Sequence, residues 1–584
     1  CQGSFAFHYR CAYKRNSLVY TRDHLSISDG SSFDFIVVGA GTAGSALAAR
    51  LAELTNFTVL LVEAGEDPPL ESIIPGFRDV LKRSPYDWNF TTVNDGFSGQ
   101  ALSGGRQLQP RGKMLGGSGS LNDMVYSRGH PVDYDEWAAI VGDTWSWANV
   151  LDYFKKTEYM TDENIINNAE LMSLHGRHGE IEVTGTARST FATEKFLDAF
   201  AELGFNVVDD MTYPYIMGAG RFSHTVRNGK RDSTLTALLN KVNSTNLYVL
   251  KSALVTNVLI ENNTAVGVRV EVEDKELLLF ADKEVIISAG TFNTAKIMLL
   301  SGIGPKEHLE ELGIEVVMDL PVGENLHDHV MVVTYLAAAV GTCAVNDSTQ
   351  YFEMIKYLYD SSGSFSLSDS MGAYIPKNGG IKNIPYFALY PSCIPQHTIT
   401  YDACVALGSY TKEICEHLDA QNKKHELLSI AVVLLKPKSR GTVRLNAFNP
   451  THDPIIYAGT FNDTDDFEGY VEAVKAAWSL VNTTYFREKS AHVVDINIEE
   501  CESLADEDFI NCQVKNLAMS AWHSVGTAAM GSVVDAELRV LGVDGLRVVD
   551  ASVMPVIVRG NTNAPVVMIA EKAADFIKKT YGKL

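Results

Sequence analysis

A glycine-rich turn between a short apolar segment and an alanine-rich one constrains the fold of this chain more than any other feature. Residues 33–38 are mostly β-branched or aromatic and predict a strand, and the run Gly39-Ala40-Gly41-Thr42-Ala43-Gly44 then opens an apolar helix over 45–51. Gly39 permits a tight turn, Gly41 lets the backbone approach a pyrophosphate, and Gly44 allows close packing of helix on strand. The helix N-terminus also offers free N–H groups to phosphates, so the turn predicts an α/β dinucleotide-binding fold.

A second predicted strand, residues 59–62, ends in Glu63 and Ala64, about 20 residues beyond the last glycine of the turn. A carboxylate at this place accepts hydrogen bonds from an adenosine ribose and disfavours a 2′-phosphate. We therefore expect Glu63 and Ala64 to contact the adenosine part of the ligand. The turn alone does not distinguish NAD from FAD.

Charge and hydropathy exclude two classes of partner. The formal net charge is −23, so the phosphate backbone of a nucleic acid would be repelled. The most apolar stretch, residues 330–345, is interrupted by polar residues and glycine, whereas a membrane-spanning helix needs roughly 20 mostly apolar residues. The sequence predicts neither nucleic-acid binding nor a membrane span.

Cysteine and asparagine patterns predict secretion. The chain begins with Cys1 and without a charged, hydrophobic leader, which predicts a mature product whose targeting segment was removed or left out. The eight cysteines are clustered without a tight C-x-x-C pair; Cys1 lies near Cys11, and Cys343 stands apart. We expect one local disulfide between Cys501 and Cys512 and one between Cys393 and either Cys404 or Cys415. Glycosylation sequons begin at Asn56, Asn89, Asn243, Asn262, Asn346, Asn462 and Asn482.

Several ordered motifs carry a family resemblance. The run PRGKMLGGSGSLN at 110–122, followed by MVYSRG at 124–129, resembles the first signature of the glucose–methanol–choline (GMC) flavoprotein oxidoreductases. Residues 288–294 and 300–305 resemble the second signature. Further matches follow in the family's order at 320–329, 436–441 and 523–577. The resemblance extends from Phe33 to the C-terminus and implies FAD as the cofactor.

The resemblance also implies which residues meet the flavin. The small-residue loop around Gly116, Gly117 and Ser118 is able to lie against a phosphate or the ring, and the amide of Asn122 bonds polar edges of the isoalloxazine. The family sometimes attaches its flavin covalently through a histidine at the position of Leu121, so the leucine predicts non-covalent FAD. Asp123 departs from the small or apolar residue usual there, and its carboxylate would oppose a reduced, anionic ring unless paired. The other positions expected to bind FAD are Arg111, Met124, Val125, Val255, Asp550, Ala551, Asn563, Pro565 and Val566.

His523, in the segment SAWHSVGT, resembles the family's active-site histidine, and the second catalytic position falls on Asn561. Alcohol oxidation removes the hydroxyl proton and transfers the carbinol hydride to flavin N5, which requires a base within hydrogen-bond reach of the hydroxyl. An imidazole suits this task near neutral pH, whereas an amide holds the oxygen without exchanging a proton. His523 is therefore the predicted base. His327 and His329 have no third ligand at suitable spacing, so no metal site is predicted.

The family fold implies two interleaved units. One is a Rossmann-like FAD-binding domain assembled from residues 33–150, 220–330 and 510–584. The other is a sheet-plus-helices substrate-binding domain over 151–219 and 331–509, and residues 1–32 form an N-terminal extension.

The whole pattern resembles the arthropod glucose-dehydrogenase-like branch of the family, whose members include oxidases of aromatic alcohols and cyanohydrins. Trp522 offers an apolar face to an aromatic ring, so we expect an aromatic alcohol or a cyanohydrin such as mandelonitrile, with oxygen as acceptor and peroxide as product. A glucose-type dehydrogenase with a quinone acceptor stays open, as does a hydroxynitrile lyase with non-redox FAD. The lyases pair their histidine with a second histidine, where this chain has Asn561.

Overall fold

The computed structural model describes residues 27–185, 191–273, 275–343, 347–366, 370–405 and 409–582. Most of the expected N-terminal extension, the Cys1 and Cys11 cluster and the sequon at Asn346 lie outside these residues. Within the described ranges, no helix combines the length and the apolar character needed to cross a bilayer.

The first large sheet is built around the strand that precedes the glycine-rich turn. Ser32–Val38 pairs in parallel with Val59–Val62 on one side and with Lys275–Ile287 on the other. Ser32–Val38 and Val59–Val62 are almost continuously apolar and buried, as expected for parallel strands covered on both faces. The described order is Leu247–Leu250, Val59–Val62, Ser32–Val38, Lys275–Ile287, Thr264–Val272 and Ala253–Glu261, with Leu546–Val548 pairing in parallel alongside Lys275–Ile287.

Two helices pack against each other beside this sheet. Thr42–Leu51 follows the glycine-rich turn, and its alanines leave room for the long C-terminal helix Asn563–Tyr581. Nε of Arg50 lies 2.8 Å from Oε1 of the buried Glu571, which ties the two helices by a charged hydrogen bond. The other described helices of eight or more residues are Pro131–Val141, Trp147–Thr157, Phe191–Glu202, Gly290–Leu300, Asp347–Asp360, Lys412–Asn422, Tyr470–Trp478 and Asp506–Leu517.

The second large sheet is mostly antiparallel and has its own apolar core. Its described order is His492–Val493, Val330–Ala338, Glu426–Leu434, Pro385–Ile394, Met371–Pro376, Ala219–Arg221 and Val207–Val208, with Met519–Ser520 pairing alongside Val330–Ala338. The two sheets and their helices confirm the predicted mixed α/β class. The domain boundaries drawn from the sequence stay a prediction.

Three disulfides tie the second half of the chain. Cys501 pairs with Cys512, as predicted. The expected bond between Cys393 and Cys404 or Cys415 is wrong, because Cys404 pairs with Cys415 and Cys393 pairs with Cys343. Cys393 lies near the end of strand Pro385–Ile394, where folding brings Cys343 from 50 residues earlier to within 5.6 Å between Cα atoms. Sequence separation alone could not reveal this pairing.

Candidate active site

A cavity of about 690 Å³ joins the two sheets. On one side its wall contains Val38 and Val62, the last residues of two parallel strands, where ligands of open α/β sheets bind. On the other side it contains Met331, Ala431 and Val433 from neighbouring strands of the second sheet. One continuous space therefore reaches from the glycine-rich turn to the second sheet.

The cavity brings together most of the residues expected from the sequence to bind FAD or substrate. Gly44, Gly116 and Pro565 are not in its wall. Gly44 packs instead against the backbone of Gly39, Gly116 approaches Ser120, and Pro565 is buried in the last helix. The expected residues that do line the cavity are Gly39, Gly41, Thr42, Ala43, Glu63, Ala64, Arg111, Gly117, Ser118, Asn122, Met124, Val125, Val255, Trp522, His523, Asp550, Ala551, Asn561, Asn563 and Val566.

The glycines of the turn differ in what a side chain would meet. A Cβ atom at Gly39, which has φ +96°, would lie 2.6 Å from the carbonyl oxygen of Ser288, so protein packing excludes a side chain there. A Cβ atom at Gly41 would meet only Gly117, 3.9 Å away. The space in front of Gly41 is thus free of protein and fits the close approach of a pyrophosphate.

Glu63 is buried at the end of the second parallel strand. Its carboxylate accepts hydrogen bonds from the backbone amides of Ala40 at 2.8 Å and Gly65 at 2.9 Å. Burial raises the pKa of this carboxyl to about 7, against the opposing effect of the two amides. A carboxylate has about four lone-pair sites, so Glu63 can still accept the hydroxyl groups of a ribose.

Other polar groups in the wall also fit FAD. The hydroxyl of Ser288 is buried and has no hydrogen-bond partner among the described residues. The helix Asn563–Tyr581 begins at the cavity without a side-chain cap, which leaves the positive end of its dipole facing the space. Lys296 is a further cation in the wall, and burial lowers its pKa. When bound here, FAD supplies the acceptor for a hydride.

Asn122 is oriented by a residue that the sequence argument missed. Its Oδ1 atom accepts hydrogen bonds from the guanidinium of Arg231 and from the backbone amide of Met124, so its NH₂ group remains for the cavity. Arg231 is buried, donates also to the carbonyl of Gly119, and has a pKa lowered to about 10 by burial. It lies more than 100 residues from Asn122, so no local pattern could have indicated this contact.

Asp123, whose charge stood out in the sequence, is paired. Its Oδ1 atom lies 3.4 Å from Nε of Arg78, which also lines the cavity. The pair removes the unopposed negative charge that the sequence placed near the flavin.

His523 projects from a bulge between two strands. Val330 pairs with Ser520 and His327 pairs with Val525, so the four residues 327–330 face the six residues 520–525. Two extra residues must leave the ladder on the second strand, and Trp522 accordingly has φ +66°. The bulge pushes the side chains of Trp522 and His523 into the cavity wall.

Asp328 holds the bulge from the opposite strand. Its carboxylate accepts hydrogen bonds from the backbone amide of His523 at 2.9 Å and from the hydroxyls of Ser520 at 2.5 Å and Ser524 at 2.6 Å. Charged acceptors make stronger hydrogen bonds than neutral ones, and here they offset the cost of a non-glycine residue at positive φ.

The main-chain carbonyl of Val558 determines the proton order around His523, that is, which ring nitrogens of His329 and His523 carry a proton. Nε2 of His329 lies 2.9 Å from the carbonyl oxygen of Val558, which only accepts, so this nitrogen carries a proton. Nδ1 of the neutral His329 is then an acceptor, and Nδ1 of His523 at 3.0 Å must donate to it. Nε2 of His523 therefore carries a lone pair and no proton, and it accepts a hydrogen bond from Nδ2 of Asn561 at 3.1 Å.

Both imidazoles are neutral in this arrangement because burial lowers the pKa of each ring. For His523 the nearby carboxylate of Asp328 opposes the lowering and the guanidinium of Arg111 adds to it. A neutral imidazole with a lone pair facing the cavity can take a hydroxyl proton. The amide of Asn561 donates to that same nitrogen, while its Oδ1 is buried without a hydrogen-bond partner among the described residues.

Trp522 is less available than the sequence suggested. Nζ of Lys82 lies 3.9 Å from the centre of its ring, and Lys82 is itself bound to Asp79. One face of the indole is thus covered by a cation, and a substrate can meet only what remains.

His329 was the functional residue most clearly missed. The sequence pattern suggests at most a metal ligand at this position, and across the described residues no three His, Cys, Asp or Glu side chains are grouped to hold a metal ion. The available signal was its position two residues after His327 at the start of a strand, but the partner strand lies nearly 200 residues away.

Comparison with known proteins agrees with this geometry. The family models described as GMC oxidoreductase match residues 33–331 and 437–570. An ecdysone oxidase from Spodoptera littoralis is 59% identical over 95% of this chain and 93% of its own sequence. A glucose dehydrogenase [FAD, quinone] from Drosophila pseudoobscura pseudoobscura is 34% identical over 94% and 87%. A crystal structure of formate oxidase is 27% identical, with a TM-score of 0.82 over 95% of this chain and 99% of that one. The chain belongs to the GMC oxidoreductase family, and it is an FAD-dependent enzyme that oxidises alcohols.

Proposed function

We propose that this enzyme oxidises a steroid alcohol of the ecdysone type and passes the electrons to oxygen. The observation that carries the proposal is the 59% identity, over almost the full length of both chains, to a protein named ecdysone oxidase. The glucose dehydrogenase relative, by contrast, shares only 34%. Residues that line a substrate pocket usually diverge faster than residues that bind a cofactor, so sequence identity this high favours a shared substrate class.

The substrate side of the cavity supports a large apolar molecule. The second sheet contributes two methionines and two aliphatic residues to the wall, the residue after strand Glu426–Leu434 adds a third, and helix Phe191–Glu202 adds an aromatic ring. Thioether and aliphatic side chains suit the fused rings of a steroid, because they adapt to an irregular apolar surface. The residues concerned are Phe196, Met331, Met371, Ala431, Val433 and Leu435.

The roles proposed for the polar pair follow from the proton order described above. Nε2 of His523 accepts the hydroxyl proton, and the amide of Asn561 donates to the reacting oxygen once substrate separates the two side chains. Arg111 and the N-terminus of the last helix both lie in the cavity wall, where their positive charge would stabilise negative charge on a reduced flavin.

The mandelonitrile expected from the sequence is not supported by the relatives, which favour ecdysone instead. An aromatic substrate is expected from the sequence because of the indole of Trp522, but Lys82 covers one face of that indole. Asn561 in place of a second histidine continues to disfavour the lyase alternative.

We also propose that the protein is secreted and glycosylated. Three disulfides support an oxidising compartment. The described sequon asparagines are all exposed, as attachment of a glycan requires: Asn56, Asn89, Asn243, Asn262, Asn462 and Asn482.

The test is a substrate screen with two acceptors. Ecdysone, glucose, benzyl alcohol and mandelonitrile are each incubated with the purified holoenzyme in air, and peroxide and the carbonyl product are measured. The same set is repeated without oxygen in the presence of a quinone dye. Ecdysone should give the highest kcat/KM and stoichiometric peroxide; a preference for glucose, or turnover with the dye alone, would refute the substrate or the acceptor, respectively.

A further inference from the structure

The amide oxygen of Asn561 stands out among the polar atoms of the active site. It is buried in the cavity wall and has no hydrogen-bond partner among the described residues. Leaving such an acceptor unpaired in a complex costs more than the net value of an ordinary hydrogen bond. A substrate that fills the cavity and displaces water must therefore provide a donor or bind less well.

The identity of this atom as oxygen follows from the network rather than from the shape of the amide. The carbonyl of Val558 requires a proton on Nε2 of His329, and this fixes Nδ1 of His523 as a donor and its Nε2 as an acceptor. Asn561 must then turn its NH₂ group to His523. Its oxygen is left on the other arm of the same amide.

The reacting hydroxyl cannot satisfy this oxygen. This hydroxyl has a single proton, which goes to Nε2 of His523 as the hydride leaves the carbon that bears the hydroxyl. The flavin atom that receives the hydride carries no proton in the oxidised state. A second donor on the substrate would satisfy this oxygen if it lay close to the reacting oxygen, because both arms of the amide are attached to one carbon.

We propose that Asn561 selects alcohols that carry a second hydroxyl on the carbon next to the one oxidised. The neighbouring hydroxyl donates to Oδ1 of Asn561, while the reacting hydroxyl faces His523. In a vicinal diol whose two C–O bonds are gauche, the oxygens are close enough for each to contact one arm of the same carboxamide. The inference rests on the proposed function only in taking a steroid as the substrate; the preference for a second hydroxyl does not depend on it.

The test compares matched substrates that differ by one hydroxyl. A steroid 2β,3β-diol is paired with its 3β-mono-ol, and cis-1,2-cyclohexanediol with cyclohexanol, and flavin reduction is followed by stopped-flow without oxygen. The cost of leaving this buried acceptor unpaired, which the mono-ol incurs, corresponds to a preference of about 5- to 150-fold for each diol in the second-order rate constant of flavin reduction. Asn561→Ala should bring both ratios close to 1.

Two further variants separate recognition from general damage. Asn561→Asp keeps an acceptor oxygen and should retain the diol preference even if its rate falls. Ser392→Ala removes a hydroxyl elsewhere in the cavity wall and should leave the ratio as in the parent enzyme. Flavin absorbance checks that each variant is folded and loaded.

Equal rates for diol and mono-ol in the parent enzyme would overturn the inference, as would an unchanged preference in Asn561→Ala. Failure of both steroids with turnover of the cyclohexyl pair would refute the steroid substrate alone. The ratio for the smaller pair would then still decide the role of Asn561.

Discussion

Nδ1 of His329 lies 3.0 Å from Nδ1 of His523, so one ring must present a proton at this point and the other a lone pair. The carbonyl of Val558 determines that His523 is the donor, because it accepts a hydrogen bond from Nε2 of His329 and so leaves Nδ1 of His329 without a proton. The basic nitrogen of His523 is thereby directed to the cavity before any substrate arrives. Preorganisation of this kind saves the cost of selecting a tautomer during the reaction.

Replacing His329 should therefore slow the reaction, because the tautomer of His523 depends on it. In His329→Phe the imidazole of His523 loses its acceptor and populates the unproductive tautomer, so we expect flavin reduction to fall by about 2- to 10-fold, the scale of one neutral hydrogen bond. In His329→Gln the amide can accept from His523 and donate to Val558, and most of the rate should return. Equal loss in both variants would argue against control of the tautomer.

Removing the base should cost far more. His523→Ala should lower substrate-driven flavin reduction by ~10²-fold or more, the scale of a lost general base. Asn561→Ala should cost less with a mono-ol, because it removes one hydrogen bond to the reacting oxygen, worth about 0.5–1.5 kcal/mol. Stopped-flow reduction measures both, with the yellow colour as a control for bound flavin. A parental rate in His523→Ala would show that the base lies elsewhere.

The pH dependence of flavin reduction should reflect the buried state of His523. Burial, with Arg111, lowers the pKa of this ring, and only the neutral ring accepts a proton. The rate constant should rise with pH through that pKa and level off above it, with a midpoint below the ordinary histidine value of about 6.5. Stopped-flow reduction from pH 5 to 9 measures the profile, and a midpoint above 6.5 would contradict the neutral resting state.

FAD should be bound without a covalent bond. Leu121 lines the cavity at the family's attachment position, and its side chain has no nucleophilic atom. Acid denaturation followed by centrifugation should release yellow flavin into the supernatant. Absorbance that stays with the pellet after washing would contradict this.

Non-reducing peptide mapping should recover three linked pairs in the described residues: Cys343–Cys393, Cys404–Cys415 and Cys501–Cys512. The first is the informative pair, because both of its cysteines line the cavity on the substrate side. Its loss in Cys343→Ser should change KM for bulky alcohols more than for small ones. Loss of Cys501–Cys512, whose cysteines are not in the wall, serves as the control.

The FAD side of the site could be predicted because its signals are local. The turn from Gly39 to Gly44 and the acid at Glu63 lie within one strand–helix–strand unit, and the sheet holds them in register. The same is true of Cys501 and Cys512, which are close in sequence. Family resemblance then placed His523 and Asn561 in one cavity, where the structure also has them.

Contacts between residues far apart in the sequence could not be predicted in this way. Arg231 contacts Asn122, Asp328 contacts His523 and Cys343 is bonded to Cys393, although the members of each pair lie 50 or more residues apart. No local sequence pattern marks any of these residues, so its role is determined by its position in the folded chain. The substrate class is difficult to predict from sequence for a similar reason, since the position of Lys82 against Trp522 is a tertiary contact.

The bulge at Trp522 and His523 makes the base depend on strand pairing in the second sheet. His523 keeps its place only while 519–525 faces 327–331 with two residues in excess, under the carboxylate of Asp328. A chimera that exchanges substrate-binding regions between relatives must therefore take both segments from one parent. A crossover point between them would shift the imbalance of residues and move the imidazole, even if every catalytic side chain were retained.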